Sequence, residues 1–190
     1  MSAGEENRAE LVPMPSIALT KARAKSLAAR GRADLRVREE AEEWLNKGTE
    51  LNRQQRYEEA FLCFVRGTQL SPNHPKLLCL LGIMYDQGHG VPQDYMQAAT
   101  WYRRAAEQGS ALAQDYLGQA YLRGLGVPQD DAQAAVWHRK AAEQGLAQAQ
   151  GWLAYFYRYG LGVPQDDKLS ELWMRKARDQ RTTSGGTNQT

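Results

Sequence analysis

Only two cysteines, Cys63 and Cys79, and three histidines, His74, His89 and His138, occur in the 190 residues. The cysteines do not form a Cys-x-x-Cys pattern and are too few to staple a framework. They read as small core residues of a protein kept in a reducing compartment. No two histidines stand at metal-ligand spacing, so no metal site is expected. No apolar run approaches the eighteen or so residues of a membrane span. Neither sign of charge dominates, since 24 Lys and Arg face 22 Asp and Glu. The first ten residues carry Glu5, Glu6 and Glu10. That speaks against a secretory or mitochondrial leader and makes the cytoplasm the expected compartment. A nucleophile elbow is missing, as is any recognisable Ser/His or Cys/His arrangement. The expectation is a non-enzymatic chain without cofactors.

What is present is repetition. Gly88-His-Gly-Val-Pro-Gln-Asp94 returns as Gly124-Leu-Gly-Val-Pro-Gln-Asp130 and as Gly160-Leu-Gly-Val-Pro-Gln-Asp166, a step of 36 residues. Tyr85, Tyr121 and Tyr157 keep the step before the loop, and Trp101, Trp137 and Trp173 keep it after. A fixed period of this size marks a solenoid. One unit reads as two helices joined by the loop. Ala113, Leu117, Ala120 and Tyr121 give one apolar face to a helix over Ala111–Arg123. Gly124 ends that helix, and Val127 before Pro128 is pushed towards extended geometry. Asp130 caps the next helix, with Gln133 three residues on as the partner of a capping box. Asp94 and Gln97 repeat the pairing, whereas Asp166 meets Leu169 and loses half of it. Alanines at 105, 106, 141 and 142 let helices approach, and each Trp supplies bulk between them.

The motif Leu-Gly-x-x-Tyr-x-x-Gly-x-Gly-Val-Pro-Gln-Asp, followed by Ala-Ala-x-Trp-x-x-Lys/Arg-Ala-Ala-Glu-Gln-Gly, resembles the Sel-one-like repeat. That family is a relative of the tetratricopeptide repeat with a longer inter-helix loop. Three tandem copies cover about residues 73–180. The third departs from the motif at Ala154, Ser170, Glu171 and Arg178. Ahead of them, Trp44, Gly48, Tyr57, Ala60, Phe64 and Pro72 resemble a single tetratricopeptide repeat over 41–74. The expected fold is all-α, a right-handed α-solenoid of four helix-turn-helix units plus an N-terminal helix.

The remaining segments follow from composition. Residues 1–15, broken by Pro13 and Pro15, are expected to be disordered. Residues 16–40 form a basic arm, helical over Ile17–Arg30 with a weak point at Gly31, resuming towards Glu39–Trp44. Between 17 and 38 it holds seven basic side chains against Asp34 alone. Residues 75–181 hold the three repeats. Arg181 stands where Gly109 and Gly145 end earlier units, and polar replacements give the last helix a solvated, capping face. Residues 182–190 are expected to be a disordered tail.

Several local patterns yield to plainer explanations. The Gly-x-Gly loops lack the following Gly-Lys-Ser/Thr and the strand–helix setting of a phosphate loop. Asp130–Asp131 and Asp166–Asp167 sit at helix starts, where carboxylates cap and favour the dipole. His138 takes the slot of Tyr102 and Met174, so it replaces a packing side chain and is expected at the rim of the core. Trp137 is expected between helices of adjacent units.

A residue present in every unit is most simply explained by packing and turning, so recognition belongs to slots that differ. In tetratricopeptide-type arrays the first helices line the concave surface. The resemblance places Glu42, Leu45, Thr49 and Asn52 there, then Lys76, Cys79, Ile83 and Asp86. The next units add Leu112, Asp115, Gln119 and Leu122, and finally Gln148, Gly151, Tyr155 and Arg158. The expected function is that of a protein-interaction adaptor, binding a peptide or partner protein on this surface. Nucleic acid, or another anionic surface bound through the arm 17–38, is the less favoured alternative.

Overall fold

The computed structural model describes residues 17–185, with side chains from 25 to 180. The expected disordered segments 1–15 and 186–190 lie outside the described residues. Eight helices and no strand occur among the described residues: α1 (Ile17–Arg53), α2 (Tyr57–Leu70), α3 (Pro75–Gln87) and α4 (Tyr95–Glu107), then α5 (Ala111–Arg123), α6 (Asp131–Glu143), α7 (Ala147–Tyr159) and α8 (Asp167–Gly185). Two compact units divide the chain, 1–37 and 38–190. In the second, α3 packs on α4, α5 on α6 and α7 on α8, and α4–α5 and α6–α7 join the pairs. This is the expected all-α solenoid.

Two helix ends differ from the sequence expectation. The helix of the arm does not break at Gly31 but runs on into the first helix of the tetratricopeptide-like unit. A glycine inside a helix costs about 1 kcal/mol relative to alanine, too little to interrupt the Ala-, Leu- and Arg-rich stretches around it. At the other end, 182–185 are helical and not part of a disordered tail. Gly109 and Gly145, with φ of 87° and 92°, stop the earlier second helices. Arg181 offers no such exit, and α8 continues to Gly185.

The loop explains its own repetition. Gly88, Gly124 and Gly160 take left-handed φ of 68°, 69° and 67° as C-caps of α3, α5 and α7. The Asp that ends each loop then donates its backbone N–H to a tyrosine carbonyl of the preceding helix. These pairs are Asp94 to Tyr85 at 3.0 Å, Asp130 to Tyr121 at 3.0 Å and Asp166 to Tyr157 at 2.9 Å. Each Asp side chain caps its helix, accepting from the amides of Met96 and Gln97, of Gln133, and of Leu169. The capping-box expectation needs correction. The N-cap amide is already satisfied by tyrosine, so the glutamine side chain is not required. Asp166 loses nothing by preceding Leu169.

The second glycine of the loop meets the unit before it. A Cβ on Gly126 would run into the backbone of Tyr95 at the start of α4, and one on Gly162 into Asp131 at the start of α6. Gly90 stands in the same relation to Tyr57 at the start of α2. Within a unit, another glycine receives a large side chain of the second helix. Gly48 lies under Phe64, Gly82 under Tyr102 and Gly118 under His138, where an added Cβ would come within 2.5, 2.5 and 2.9 Å of the ring.

Candidate functional site

The first helices were expected to present four slots per unit, and their burial separates those slots. Lys76, Leu112 and Gln148 are exposed, each in the first turn of its helix. One turn on, the slot is internal: Leu45, Cys79 and Asp115 are buried. Leu45 and Asp115 are therefore not partner-binding surface, and that expectation is corrected. The cause is the neighbouring glycine slot. With Gly48 and Gly118 three residues on, Phe64 and His138 sit down on the first helix and cover its flank. Thr49, Ile83 and Gln119 follow, half-buried, and Tyr155 is 43% exposed. Asn52, Asp86 and Leu122 are half-buried, and Arg158 is exposed. The Thr49 hydroxyl donates to the Leu45 carbonyl at 2.7 Å, so it serves its own helix.

Asp115 carries an arrangement that sequence reasoning missed. His138 Nδ1 lies 2.9 Å from Asp115 Oδ1, and both residues are 0% exposed. A carboxylate only accepts, so Nδ1 carries the proton. Gln119 Nε2 donates to the other oxygen, Oδ2, at 2.9 Å. The His138 ring packs near Trp152 and Phe156, with centroids 5.7 and 5.6 Å away. Thus His138 belongs to the core, not its rim, while Trp137 is half-buried. Two polar residues that look independent in the sequence, 23 positions apart, answer one another across α5 and α6. The signal was the coincidence in one unit of an Asp among Leu and Cys at one slot and a His among Phe and Tyr at the other.

Two further regularities had a visible signal. A basic residue follows each second-helix tryptophan, and Trp44, by three. Lys47 lies over Trp44, Arg104 over Trp101, Lys140 over Trp137 and Lys176 over Trp173, with the charge 5.1, 4.7, 3.9 and 4.2 Å from the ring centroid. These cation–π pairs let a half-buried indole face water without leaving its ring bare. Gln114 and Gln150 donate to the carbonyls of Ala106 and Ala142, both at 3.1 Å, satisfying the ends of α4 and α6.

On α7 one varied slot, Tyr155, is aromatic and has aromatic neighbours. Tyr155 lies edge-on to Trp152, with centroids 6.0 Å apart, and Tyr159, 58% exposed, is 4.7 Å from Tyr155. Leu122 and Trp152 pack on the same buried cluster around Phe156. Asp86, near the end of α3, is partly buried, and burial pushes its carboxyl above the usual range while Arg123 opposes this. In the basic arm, every residue from Lys25 to Glu40 is exposed. No group of three potential metal ligands occurs among the described residues. No helix among them is long and apolar enough to cross a membrane.

With the loop, the glycine seats and the 36-residue register in place, comparison with known proteins is decisive. The Sel1 repeat matches residues 75–110, 111–146 and 147–181, more than half of the chain. The chain belongs to the Sel1 repeat family. A Sel1 repeat protein from Oxalobacter formigenes is 35% identical over 72% of this chain, with a TM-score of 0.68. A protective antigen of uropathogenic Escherichia coli displaying an SLR fold is 32% identical over 82%, with a TM-score of 0.70. The chain spans 53% and 33% of the lengths of those two proteins. No curated protein matches. Sel1 repeats serve in general as scaffolds for protein–protein interaction.

Proposed function

We propose that this Sel1 repeat protein is a non-enzymatic scaffold that binds a peptide or partner protein along the first helices α3, α5 and α7. The observation that carries the reading is the aromatic face of α7. Tyr155 and Tyr159 stay substantially exposed on a helix whose other side is fully packed, and through Trp152 they adjoin Leu122 of α5. Packing common to all units selects like residues at like slots, as at Tyr85, Tyr121 and Tyr157. Ile83, Gln119 and Tyr155 share a slot and differ, as do Asp86, Leu122 and Arg158. Large rigid aromatics are effective anchors, and Arg158 beside them supplies orientation. A stiff array binds without ordering cost on its own side. Lys76, Leu112 and Gln148 form the rim of this surface.

A display selection of random peptides tests the reading. Peptides enriched on the parent should lose at least tenfold in affinity on Leu122→Ser with Tyr155→Ser, while the double variant melts within a few degrees of the parent. Unchanged affinity on a folded double variant would move the binding face elsewhere.

The second reading rests on the arm. Arg30, Arg32, Arg36 and Arg38 all lie in the continuous exposed stretch 25–40. An isolated helix of this kind is marginal in water, and its charge suits a polyanion. Binding of duplex DNA that falls steeply with salt and disappears on deleting 1–38 would support it. A salt-independent response would oppose it.

A further inference from the structure

A cavity of about 70 Å³ lies between α3, α4 and α5, walled by Asp86, Tyr95, Tyr102, Tyr116, Gln119 and Arg123 among others. About 10–15 Å³ suffices for one water, so the space takes a compact head group and not a ring system. Asp86 and Gln119 belong to the slots that vary from unit to unit, and they reach this cavity from adjacent units.

The walls define the chemistry of an occupant. Tyr102 is 3% exposed, and its hydroxyl has no hydrogen-bond partner. In the first unit the same slot holds Phe64, which packs on its glycine without any hydroxyl, so packing does not explain this one. Tyr102 and Tyr116 stack with centroids 4.9 Å apart and present an aromatic surface. The Tyr95 hydroxyl accepts from Gln93 Nε2 at 2.9 Å. Gln119 gives one of its two amide N–H groups to Asp115, and its oxygen is available as an acceptor. Acceptors and ring faces therefore predominate, and Arg123 is the one cation of the wall. Burial raises the Asp86 carboxyl, and Arg123 opposes the rise.

We infer that this cavity receives a cationic head group, a guanidinium or ammonium carried by a peptide lying across α3 and α5. The inference rests on the reading of those helices as a peptide-binding face. The arriving charge pairs with Asp86, the Tyr102 and Gln119 oxygens accept from its N–H groups, and the tyrosine rings favour it through their π faces. Arg123 opposes the ligand and limits entry to groups able to meet several acceptors at once.

The test uses N-acetyl-arginine amide, N-acetyl-lysine amide and N-acetyl-citrulline amide as probes, titrated into the full chain and followed by NMR. At least one cationic probe should bind tenfold or more tightly than the neutral citrulline compound. The better of the two identifies the preferred head group. Asp86→Asn and Tyr102→Phe, both near-isosteric and checked by melting, should each weaken it several-fold. Arg123→Gln should strengthen it. Equal binding of charged and neutral probes, no binding of any, or indifference to Asp86→Asn in a folded variant overturns the inference. Binding of acetate or inorganic phosphate that is lost in Arg123→Gln makes this an anion site and overturns it as well. The probes require no partner, so their result stands apart from the peptide selection. If selected peptides depend on Leu122 and Tyr155 while no cationic probe binds, the face survives and the cavity proposal falls.

Discussion

The third and fourth units occupy the same register and solve the same packing problem in opposite ways. In the third, Asp115, Gly118 and His138 meet at 0% exposure of both polar residues, with the imidazole laid on the glycine. In the fourth, the corresponding residues are Gly151, Ala154 and Met174, and Met174 is 41% exposed. Nothing lies within 4 Å of where a Cβ of Gly151 would stand. One unit fills the junction with a hydrogen-bonded polar pair; the other leaves it loose. The first two units, with Leu45–Phe64 and Cys79–Tyr102, fill it without an ionisable pair of this kind. A fold can therefore tolerate wide chemistry at these slots, provided the two helices agree with each other.

The largest effect is expected from breaking that agreement. His138→Ala should cost about 3–5 kcal/mol, because it opens a cavity and strands Asp115 in the interior. Chemical denaturation measures it, and a loss below that of a surface alanine variant would contradict the buried pair. The sharper form transplants the second unit into the third. Asp115→Cys with His138→Tyr should recover most of the stability that either change alone removes, a coupling visible in a double-mutant cycle.

Gly118→Ala comes next, at about 1–3 kcal/mol, since its new Cβ would sit 2.9 Å from the His138 ring. Ala154→Gly in the fourth unit should cost about 1–2 kcal/mol, through helix propensity and the loss of a buried methyl, with no ring displaced. Equal losses by calorimetry would erase the distinction between the two junctions. Trp137→Ala should fall near 2 kcal/mol, below His138→Ala, because the indole is only half-buried and Lys140 covers its face. This reverses the order that the sequence suggests.

Asp130→Ala should remove about 1 kcal/mol by losing the cap to Gln133. Peptide affinity of its folded fraction should be unchanged. The smallest effect concerns Asp86, whose folded carboxyl titrates above its unfolded value. The folded state then holds the proton longer, so the contribution to stability is full at low pH and is lost as pH rises through the folded pKa. Asp86→Asn should accordingly melt above the parent at pH 7, with the gap closing towards pH 3. A gap that widens on acidification would mean that Asp86 is stabilised as an anion.

Much of the fold was legible because the loop punctuates it. Gly124, Pro128 and Asp130 carry strong local preferences, and α5 spans Ala111–Arg123 as its pattern indicates. The continuity of α1 was less visible, since Gly31 weakens a helix without ending one. The surface was harder to read. Asp115 has the composition of an exposed rim and Leu45 that of an anchor, yet both are internal because a partner helix leans on the glycine beside them. Burial there depends on which side chain arrives from 19 to 23 residues further along. No periodicity within one helix reports that. Slots 119, 122 and 155 were separable from the scaffold only through disagreement among units that otherwise match.

The glycine that meets the previous unit at Gly90, Gly126 and Gly162 touches main chain, not side chain. This one contact of the joint is consequently indifferent to the letters written on either block. A unit could be duplicated, deleted or exchanged with this contact intact, so long as the loop comes with it. Vocabulary and syntax are separate in such a chain: one glycine keeps the order of the blocks, while the outward residues of each are free to acquire a meaning of their own.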